Sequence, residues 1–229
     1  MEKITFVTRL LDKKQLTEDV FEFTLEKPKN FTYEAGQFIQ IYIPNQEKKI
    51  TRSYSLCSLP DYDTLCLTIK IIPEGIGSNY LKNLQIHDEI KISEASGNFL
   101  LKNTNDPAIF FATGVGIAPI LPMIQTFVKN NTLTPVQLVF GVRHEQDIFY
   151  KEILEKLKNE YTNFTYTITL SQHEEENEYI QGRVTEHVAS LIQGNANYYF
   201  CGSPAMILDI RKILVQNNIP LSQIHFEMF

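Results

Sequence analysis

The chain has 229 residues and a formal net charge of −6, and 43% of its residues are hydrophobic. These values are typical of a soluble globular protein with one large domain or two of ordinary size. The acidic balance argues against nucleic acid as a partner, and the amino terminus lacks the apolar segment of a secretory signal.

The cysteines and histidines form no metal-binding or disulfide pattern. Cys57, Cys66 and Cys201 are scattered and include no C-x-x-C pair. This usage fits free thiols in a reducing cytoplasm better than a disulfide framework or an iron–sulfur cluster. The histidines show no metal-ligand spacing. The sequence therefore predicts a cytoplasmic protein without a bound metal.

The first hundred residues alternate apolar and polar positions in short runs, as half-buried strands do. Proline, glycine and asparagine separate the runs, and a helical period is almost absent. This spacing predicts an antiparallel barrel or sandwich. The predicted strands are 4–11, 20–25, 37–43, 51–58, 65–72 and 88–92, with a short helical segment at 79–84.

Beyond a polar linker at 103–106 the pattern changes to strands that alternate with helices. Such alternation predicts a doubly wound parallel sheet, so we expect two domains, 1–104 and 105–229. The predicted strands are 108–112, 136–140, 164–170, 198–201 and 224–228, and the predicted helices are 117–129, 151–160, 184–192 and 204–216.

The longest apolar run, 108–124, reaches the lower length limit of a membrane span. Gly114, Gly116, Pro119 and Pro122 interrupt it, so a buried strand, a glycine turn and the start of a helix explain it better. A turn of this kind, beginning at Thr113, places phosphate at a helix N-terminus. The G-x-G-x-x-P pattern lacks the third glycine of the dinucleotide fingerprint, and a tightly packed turn is the alternative.

Three further loops follow predicted strands at the edge where open α/β sheets bind ligands. Arg143, next to Gly141, would hold a phosphate, and Ser171 would reach a ribose. Both loops also suit an ordinary protein surface. In the third loop, 201–204, Cys201 would stand beside a flat ring or serve as a buried structural thiol.

The residues after Cys201 suit the start of a helix. Gly202 relieves crowding at the strand end, Ser203 suits the helix cap, and Pro204 suits the first helical turn.

The densest polar and aromatic cluster of the first half is R-S-Y-S at 52–55. In a strand, Arg52 and Tyr54 share one face, while Ser53 and Ser55 share the other. Tyr54 would lie flat against a ring system, Arg52 would meet a pyrophosphate, and Ser55 would bond ring heteroatoms. A plain edge strand is the alternative. The segment 75–78, which includes Gly77 and Ser78, is a second candidate phosphate cradle.

Five short motifs occur in one order along the chain. They are R-S-Y-S (52–55), G-I-G-S (75–78), G-V-G-I-A-P (114–119), C-G-S-P (201–204) and F-E-M-F (226–229). In this combination the chain resembles the ferredoxin–NADP⁺ reductase superfamily in its compact bacterial form. The resemblance implies a flavin-binding antiparallel β-barrel followed by an α/β domain that binds NAD(P)H.

The resemblance also implies roles for individual residues. It assigns flavin binding to Arg52, Ser53, Tyr54, Ser55, Ile69, Lys70, Gly77 and Ser78. It assigns the pyrophosphate of the nicotinamide nucleotide to Gly114, Gly116 and Pro119, and places Cys201 near the nicotinamide. The other predicted nucleotide contacts come from the same four loops and are Thr113, Gly141, Arg143, Ser171, Gly202 and Pro204.

The implied reaction moves a hydride from the nicotinamide to the flavin. Ser55 and Cys201 would shape the stacked rings, and Ser55 or Glu227 would relay a proton to the reduced flavin. Phe229 would cover the flavin until the nicotinamide displaces it. FAD is the commoner flavin in such proteins, and FMN is the alternative.

The chain departs from some family members in two ways. It lacks the four cysteines of an added iron–sulfur domain, so electrons would leave from the flavin itself. After Ser171 it carries Gln172, His173 and three glutamates at 174–176, whose charges would repel the 2′-phosphate of NADPH. This favours NADH, although Arg183 would reverse the preference if it folded back.

The electron acceptor stays open. A basic cluster of Lys48, Lys49 and Arg52 lies near the flavin motif, and such surfaces suit acidic ferredoxins or flavodoxins. Three enzymes fit: a ferredoxin or flavodoxin reductase, a reductase that feeds an oxygenase, and a free-flavin reductase. The alternatives are a flavin-binding electron-transfer subunit without independent turnover and a non-redox nucleotide-binding module.

Overall fold

The computed structural model describes residues 4–45, 48, 50–102, 105–131, 133–172 and 179–228. The chain forms two compact units, Met1–Leu100 and Leu101–Phe229. The predicted domain boundary at residue 104 stays a prediction, since residues 103 and 104 lie outside the described part.

The first unit is a curled antiparallel sheet of six strands in the order β4-β3-β6-β1-β2-β5. An isolated bridge between Leu56 and Leu67 joins the segment after β4 to β5, and so links the two ends of the sheet. The strands are β1 Thr5–Gln15, β2 Val20–Glu26, β3 Phe38–Ile43, β4 Ile50–Ser55, β5 Thr64–Lys70 and β6 Glu89–Ser93, and helix α1 is Ile76–Asn83.

Alternation along the strands fills the interior of this sheet. In β3, Ile39, Ile41 and Ile43 are buried while the residues between them are half-buried. Leu65, Leu67 and Ile69 of β5 join the same cluster. Because side chains of a strand point alternately to opposite faces, one face of each strand supplies the core. The burial along these strands therefore follows the period of two in the sequence.

The second unit is a parallel sheet in the order β10-β9-β8-β7-β11-β12. The strand order reverses beside β7, which lies between β8 and β11, and ligands bind such sheets at this switch point. The strands are β7 Ala108–Thr113, β8 Val136–Val142, β9 Phe164–Leu170, β10 Ile180–Gln181, β11 Asn197–Gly202 and β12 Ile224–Met228. The helices are α2 Ile117–Asn130, α3 Lys151–Glu160 and α4 Pro204–Gln216.

The apolar run that resembles a membrane span is the centre of this sheet and its first helix. The residues 108–112 of β7 are all buried, and ten residues of α2 are buried as well. Pro119 lies in the first turn of α2, where its missing N–H removes no helical hydrogen bond. Among the described residues, no helix is long and apolar enough to cross a membrane.

One predicted helix is wrong. The segment 184–192 forms two short 3₁₀ turns, Val184–His187 and Ala189–Leu191. The β-branched residues Val184, Thr185 and Val188 lower the helix propensity of this short segment. Val184 and Val188 are instead buried in the core of the unit, so tertiary packing decides the local geometry. The two-residue strand β10, paired with β9, was also not predicted.

Candidate functional site

Strand β4 carries the R-S-Y-S cluster and pairs with β3. Arg52 and Ser53 are exposed, Tyr54 is half-buried and Ser55 is 4% exposed. The Arg52 Nη1 atom donates a hydrogen bond to its neighbour's carbonyl oxygen, on Thr51, at 2.8 Å, which orients the guanidinium. The strand thus holds an exposed arginine, a tyrosine ring and a buried serine within four consecutive residues.

A short ordered loop leads from β5 to the N-terminus of α1. The Gly75 N–H donates to the Ile72 carbonyl at 3.1 Å, and the Ile72 N–H donates to Ser78 Oγ at 2.9 Å. Among the described residues, no side chain caps the N-terminus of α1, whose Ncap residue is Gly75. The first N–H groups of a helix have no partner within the helix, so this end suits an anion.

The two motifs of the first unit meet at Gly77. A Cβ atom at this position would overlap the Tyr54 hydroxyl and lie 3.0 Å from Arg52 Cγ. With glycine at this position, the start of α1 packs against these two side chains without displacing them. Burial raises the pKa of the Tyr54 hydroxyl, and the charge of Arg52 partly offsets this rise. The ring is neutral and suits stacking on a flat group.

Two predicted flavin contacts have other partners for their side chains. The Ile69 side chain is 3% exposed and belongs to the hydrophobic core. Lys70 forms an ion pair with Asp19, with Nζ 2.7 Å from Oδ2. The side chains of both residues therefore hold β5 against the strands beside it.

The structure of the first unit fits the phosphate groups of a flavin nucleotide. An uncapped helix N-terminus, a glycine with no room for a side chain and an exposed arginine occur together at the start of α1. Backbone N–H groups and a guanidinium are strong donors to phosphate oxygens. The donor set therefore matches an anionic ligand.

In the second unit, the turn after β7 packs backbone against backbone. A Cβ atom at Gly116 would overlap the backbone carbonyl of Cys201, so only glycine lets this turn approach β11. Gly114 has φ +51, a conformation that favours glycine, and has open space beside its Cα. Among the described side chains, none caps the N-terminus of α2. This end also suits a phosphate group.

The loop after β11 is tied to the turn after β7. The Ser203 N–H donates to Thr113 Oγ1 at 3.3 Å, and a Cβ atom at Gly202 would overlap the same oxygen. Ser203 caps α4 by accepting a hydrogen bond from the Met206 N–H at 3.4 Å, and Pro204 occupies the first turn. The structure therefore brings two of the predicted nucleotide loops together at the switch point.

Cys201 lies at the end of β11, opposite Glu227 of β12. Its side chain is buried, and burial raises the pKa of the Cys201 thiol well above its usual value. The neighbouring Glu227 carboxylate raises the pKa of this thiol further. Cys201 is therefore a neutral thiol at physiological pH. Phe229 lies outside the described residues.

The remaining predicted contacts follow β8 and β9. Gly141 and Ser171 lie at the ends of these neighbouring strands, and Ser171 Oγ donates weakly to the Val142 carbonyl at 3.4 Å. Arg143 is exposed. The glutamates at 174–176 and His173 lie outside the described residues, and Arg183 is exposed. The preference for NADH over NADPH stays a prediction.

Sequence reasoning missed one residue that supports the first site. Lys13 of β1 donates from Nζ to the Lys82 carbonyl at 2.9 Å and to the Leu84 carbonyl at 3.0 Å. It thereby caps the C-terminus of α1, whose N-terminus faces Arg52 and Tyr54. No local pattern reveals this contact, because some seventy residues of chain separate the partners.

No group of described histidine, cysteine, aspartate or glutamate side chains has the arrangement of a metal site. Cys57, Cys66 and Cys201 form no disulfide.

The fold, and two helix ends that no described side chain caps, suit a two-domain nucleotide-binding protein. The profile of the oxidoreductase FAD-binding domain matches residues 7–100, and that of the oxidoreductase NAD-binding domain matches residues 110–212. The chain belongs to the ferredoxin–NADP⁺ reductase superfamily of flavoprotein reductases, with an FAD-binding domain and an NAD-binding domain.

Similar proteins include a ferredoxin–NADP reductase and a dioxygenase electron transfer component. The chain is 27% identical to ferredoxin–NADP reductase B of Sorangium cellulosum, over 98% of this chain and 97% of that protein. It is 25% identical to the toluate 1,2-dioxygenase electron transfer component of Pseudomonas putida, and covers 65% of that protein's length with 94% of its own.

The same fold occurs in a solved ferredoxin–NADP⁺ reductase of Neisseria gonorrhoeae with bound FAD and NADP. The TM-score is 0.87 at 22% identity, and the match covers 99% of each chain.

Proposed function

We propose that the protein transfers a hydride from NAD(P)H to bound FAD and passes the electrons to an acceptor. The observation that carries this proposal is the contact of Gly77 with Arg52 and Tyr54 at the uncapped start of α1. It joins a phosphate-binding helix terminus to an aromatic ring, as a flavin nucleotide requires. FAD is preferred to FMN, since the matching profile is that of an FAD-binding domain.

The side chains of the first unit would bind and orient the flavin. Arg52 and the N–H groups at the start of α1 would hold its diphosphate, and the Tyr54 ring would lie against the flavin ring. When bound, FAD supplies the redox chemistry that side chains lack, since its ring accepts a hydride and releases electrons again. Ser55 is the first candidate for holding a proton beside the flavin, and Glu227 is the second.

The second unit would bind the nicotinamide nucleotide at the switch point. The N-terminus of α2 would hold its diphosphate, with Arg143 as a further phosphate donor and Ser171 beside a ribose. The Cys201 thiol is neutral because burial raises its pKa, so it would shape the nicotinamide pocket without a charge. The prediction that Phe229 covers the flavin is kept as part of this proposal.

The acceptor would be a ferredoxin, a flavodoxin, an oxygenase component or free flavin. Coverage of nearly the full length of a relative named ferredoxin–NADP reductase supports the first of these. A relative named as a dioxygenase electron transfer component supports a role beside an oxygenase. The second candidate function is a flavin-binding subunit without independent turnover. We place the protein in the cytoplasm, which three cysteines without a disulfide support.

The test is anaerobic mixing of the FAD-loaded protein with NADH and NADPH in parallel, followed by the flavin absorbance. We expect both nucleotides to bleach the flavin, NADH faster, and ferricyanide to support steady turnover. Bleaching without ferricyanide turnover would favour the subunit. Absence of bleaching by both nucleotides would contradict the proposal.

Arg52→Ala separates the flavin site from general stability. Loss of a charged hydrogen bond to phosphate costs about 1.5–3 kcal/mol, so the FAD dissociation constant should rise at least roughly tenfold. Arg9→Ala is the matched control, since Arg9 is an exposed arginine of the same unit paired with Glu89. Titration of the apoprotein with FAD measures both variants, and equal affinities would argue against the site.

A further inference from the structure

Two of the three cysteines lie opposite each other at the seam of the first sheet. The bridge between Leu56 and Leu67 sets the register there, and the Cys57 N–H donates to the Cys66 carbonyl at 2.8 Å. Cys57 and Cys66 are therefore direct partners across an antiparallel pair. The chain reverses between them within eight residues, 58–65.

Both thiols lie on the same face of the sheet. The residues on either side of them, Leu56, Leu65 and Leu67, point into the core, so the cysteines point to the opposite face. Threonine hydroxyls on that face contact both sulfur atoms. Cys57 Sγ accepts from Thr68 Oγ1 at 3.2 Å, and Cys66 Sγ lies 3.8 Å from Thr24 Oγ1.

The spacing suits a disulfide. Directly opposed residues of an antiparallel pair have Cα atoms about 4.5–5.5 Å apart, and disulfides span roughly 4.4–6.8 Å between Cα atoms. Each sulfur would leave its threonine by rotation about χ1. We propose that Cys57 and Cys66 are a reversible oxidation site, at which a peroxide converts two thiols into a disulfide that closes the seam.

The chemistry has two steps that balance with one peroxide. The Cys66 thiol first loses its proton, and the resulting thiolate attacks hydrogen peroxide. An S–O bond forms and the O–O bond breaks. The released hydroxide takes up the proton that the thiol lost and leaves as water. The Cys57 thiolate then attacks the sulfenic sulfur of Cys66, which forms the S–S bond and releases the second water. Two thiols are oxidised and one peroxide is reduced.

Exposure sets the order of these steps. Cys66 is half-buried, whereas Cys57 is 7% exposed, so peroxide reaches Cys66 first. Burial raises the pKa of the Cys66 thiol, so oxidation is slow at neutral pH and faster in alkaline buffer. Cys201 is fully buried and also has a raised pKa, so it should be spared.

The modification would join β5 to the segment directly after the flavin-binding strand β4. Ser58, next to Cys57, accepts from the Cys66 N–H at 3.0 Å and lies 2.8 Å from the Tyr33 hydroxyl oxygen. The bridged pair therefore adjoins an ordered, buried polar network. A transient disulfide of this kind is compatible with a reducing compartment.

Peptide mapping of the full chain tests the proposal without any variant. Both cysteines fall within one tryptic peptide, residues 53–70, which an added cut before Asp61 or Asp63 divides. After treatment with hydrogen peroxide, we expect this peptide to be lighter by two hydrogen atoms and resistant to alkylation. The doubly cut halves should stay linked until dithiothreitol separates them. The proposal would be overturned if both cysteines were alkylated after the peroxide treatment. It would also be overturned if only one of the two cysteines were oxidised, or if disulfides formed between two molecules.

Two variants test the order of steps. In Cys57→Ser the first step has no resolving thiol, so Cys66 should gain oxygen. In Cys66→Ser, the buried Cys57 should stay reduced several-fold longer than Cys66 does in the other variant. Equal oxidation of the two single cysteines would contradict the assigned order.

Discussion

The N-termini of α1 and α2 share one feature, a glycine beside a helix end that no described side chain caps. In α2 ten of fourteen residues are buried, and Gly116 meets the backbone of β11. In α1 only Gly77, Ser78 and Leu81 are buried, and Gly77 meets the side chains of Tyr54 and Arg52.

The two helix ends differ in how rigidly the atoms that contact the glycine are held. A backbone carbonyl inside a parallel sheet cannot move without breaking strand pairing, whereas side chains adjust by rotation about their χ angles. The candidate nucleotide-binding turn of the second unit is therefore held by the sheet itself. The candidate flavin-binding turn of the first unit depends on a few side chains, some of them distant in sequence. Three substitutions test this contrast.

Gly116→Ala should have the largest effect, because its Cβ atom overlaps the Cys201 carbonyl and the sheet cannot yield. We expect a loss of about 1–3 kcal/mol in the free energy of unfolding. The kcat/KM for NAD(P)H should fall about 10²-fold, as for a misplaced substrate. Urea unfolding and steady-state kinetics measure the two effects. Gly194→Ala is the control, since nothing lies within 4 Å of its Cβ position. Wild-type behaviour of both variants would contradict a rigid turn.

Gly77→Ala should have a smaller effect, because the Tyr54 side chain can move its hydroxyl away by rotation about χ1. We expect the FAD dissociation constant to rise roughly tenfold, or about 1.4 kcal/mol, with stability nearly unchanged. Titration of the apoprotein with FAD gives this value.

A double-mutant cycle with Tyr54→Phe sharpens the test. The added phenylalanine removes the hydroxyl that the new Cβ atom overlaps, so part of the lost affinity should return in the double variant. If the losses of FAD affinity in the two single variants add up in the double variant, the contact between the new Cβ atom and the Tyr54 hydroxyl is not the cause of the weaker binding.

Lys13→Met should have the smallest effect, since it removes the lysine cap from the far end of α1. We expect a loss of about 1 kcal/mol in stability and a few-fold weaker FAD binding, with turnover at saturating FAD unchanged. Lys14→Met is the control, because the neighbouring Lys14 is exposed. Lys13→Arg should retain most of the affinity. An equal loss in the Lys14 variant would point to surface charge instead of the cap.

Much of the fold follows from local patterns in the chain. Alternation with a period of two predicted the antiparallel sheet, whose inward-facing residues include Ile39 and Ile41. The apolar run of β7 followed by glycines predicted the turn into α2, because a strand and a glycine turn are encoded by adjacent residues. The prediction failed at 184–192, where burial of Val184 and Val188 in the core outweighs a weak helical pattern.

Hydrophobic period and turn residues act between neighbours in the chain, so local patterns predict the two sheets, their order along the chain and the candidate loops. Long-range packing sets which distant residues meet: Gly77 with Tyr54, Gly116 with Cys201, Lys13 with the end of α1 and Cys57 with Cys66. These contacts depend on strand order and register, which arise from the packing of the whole unit. No local pattern of residues encodes them.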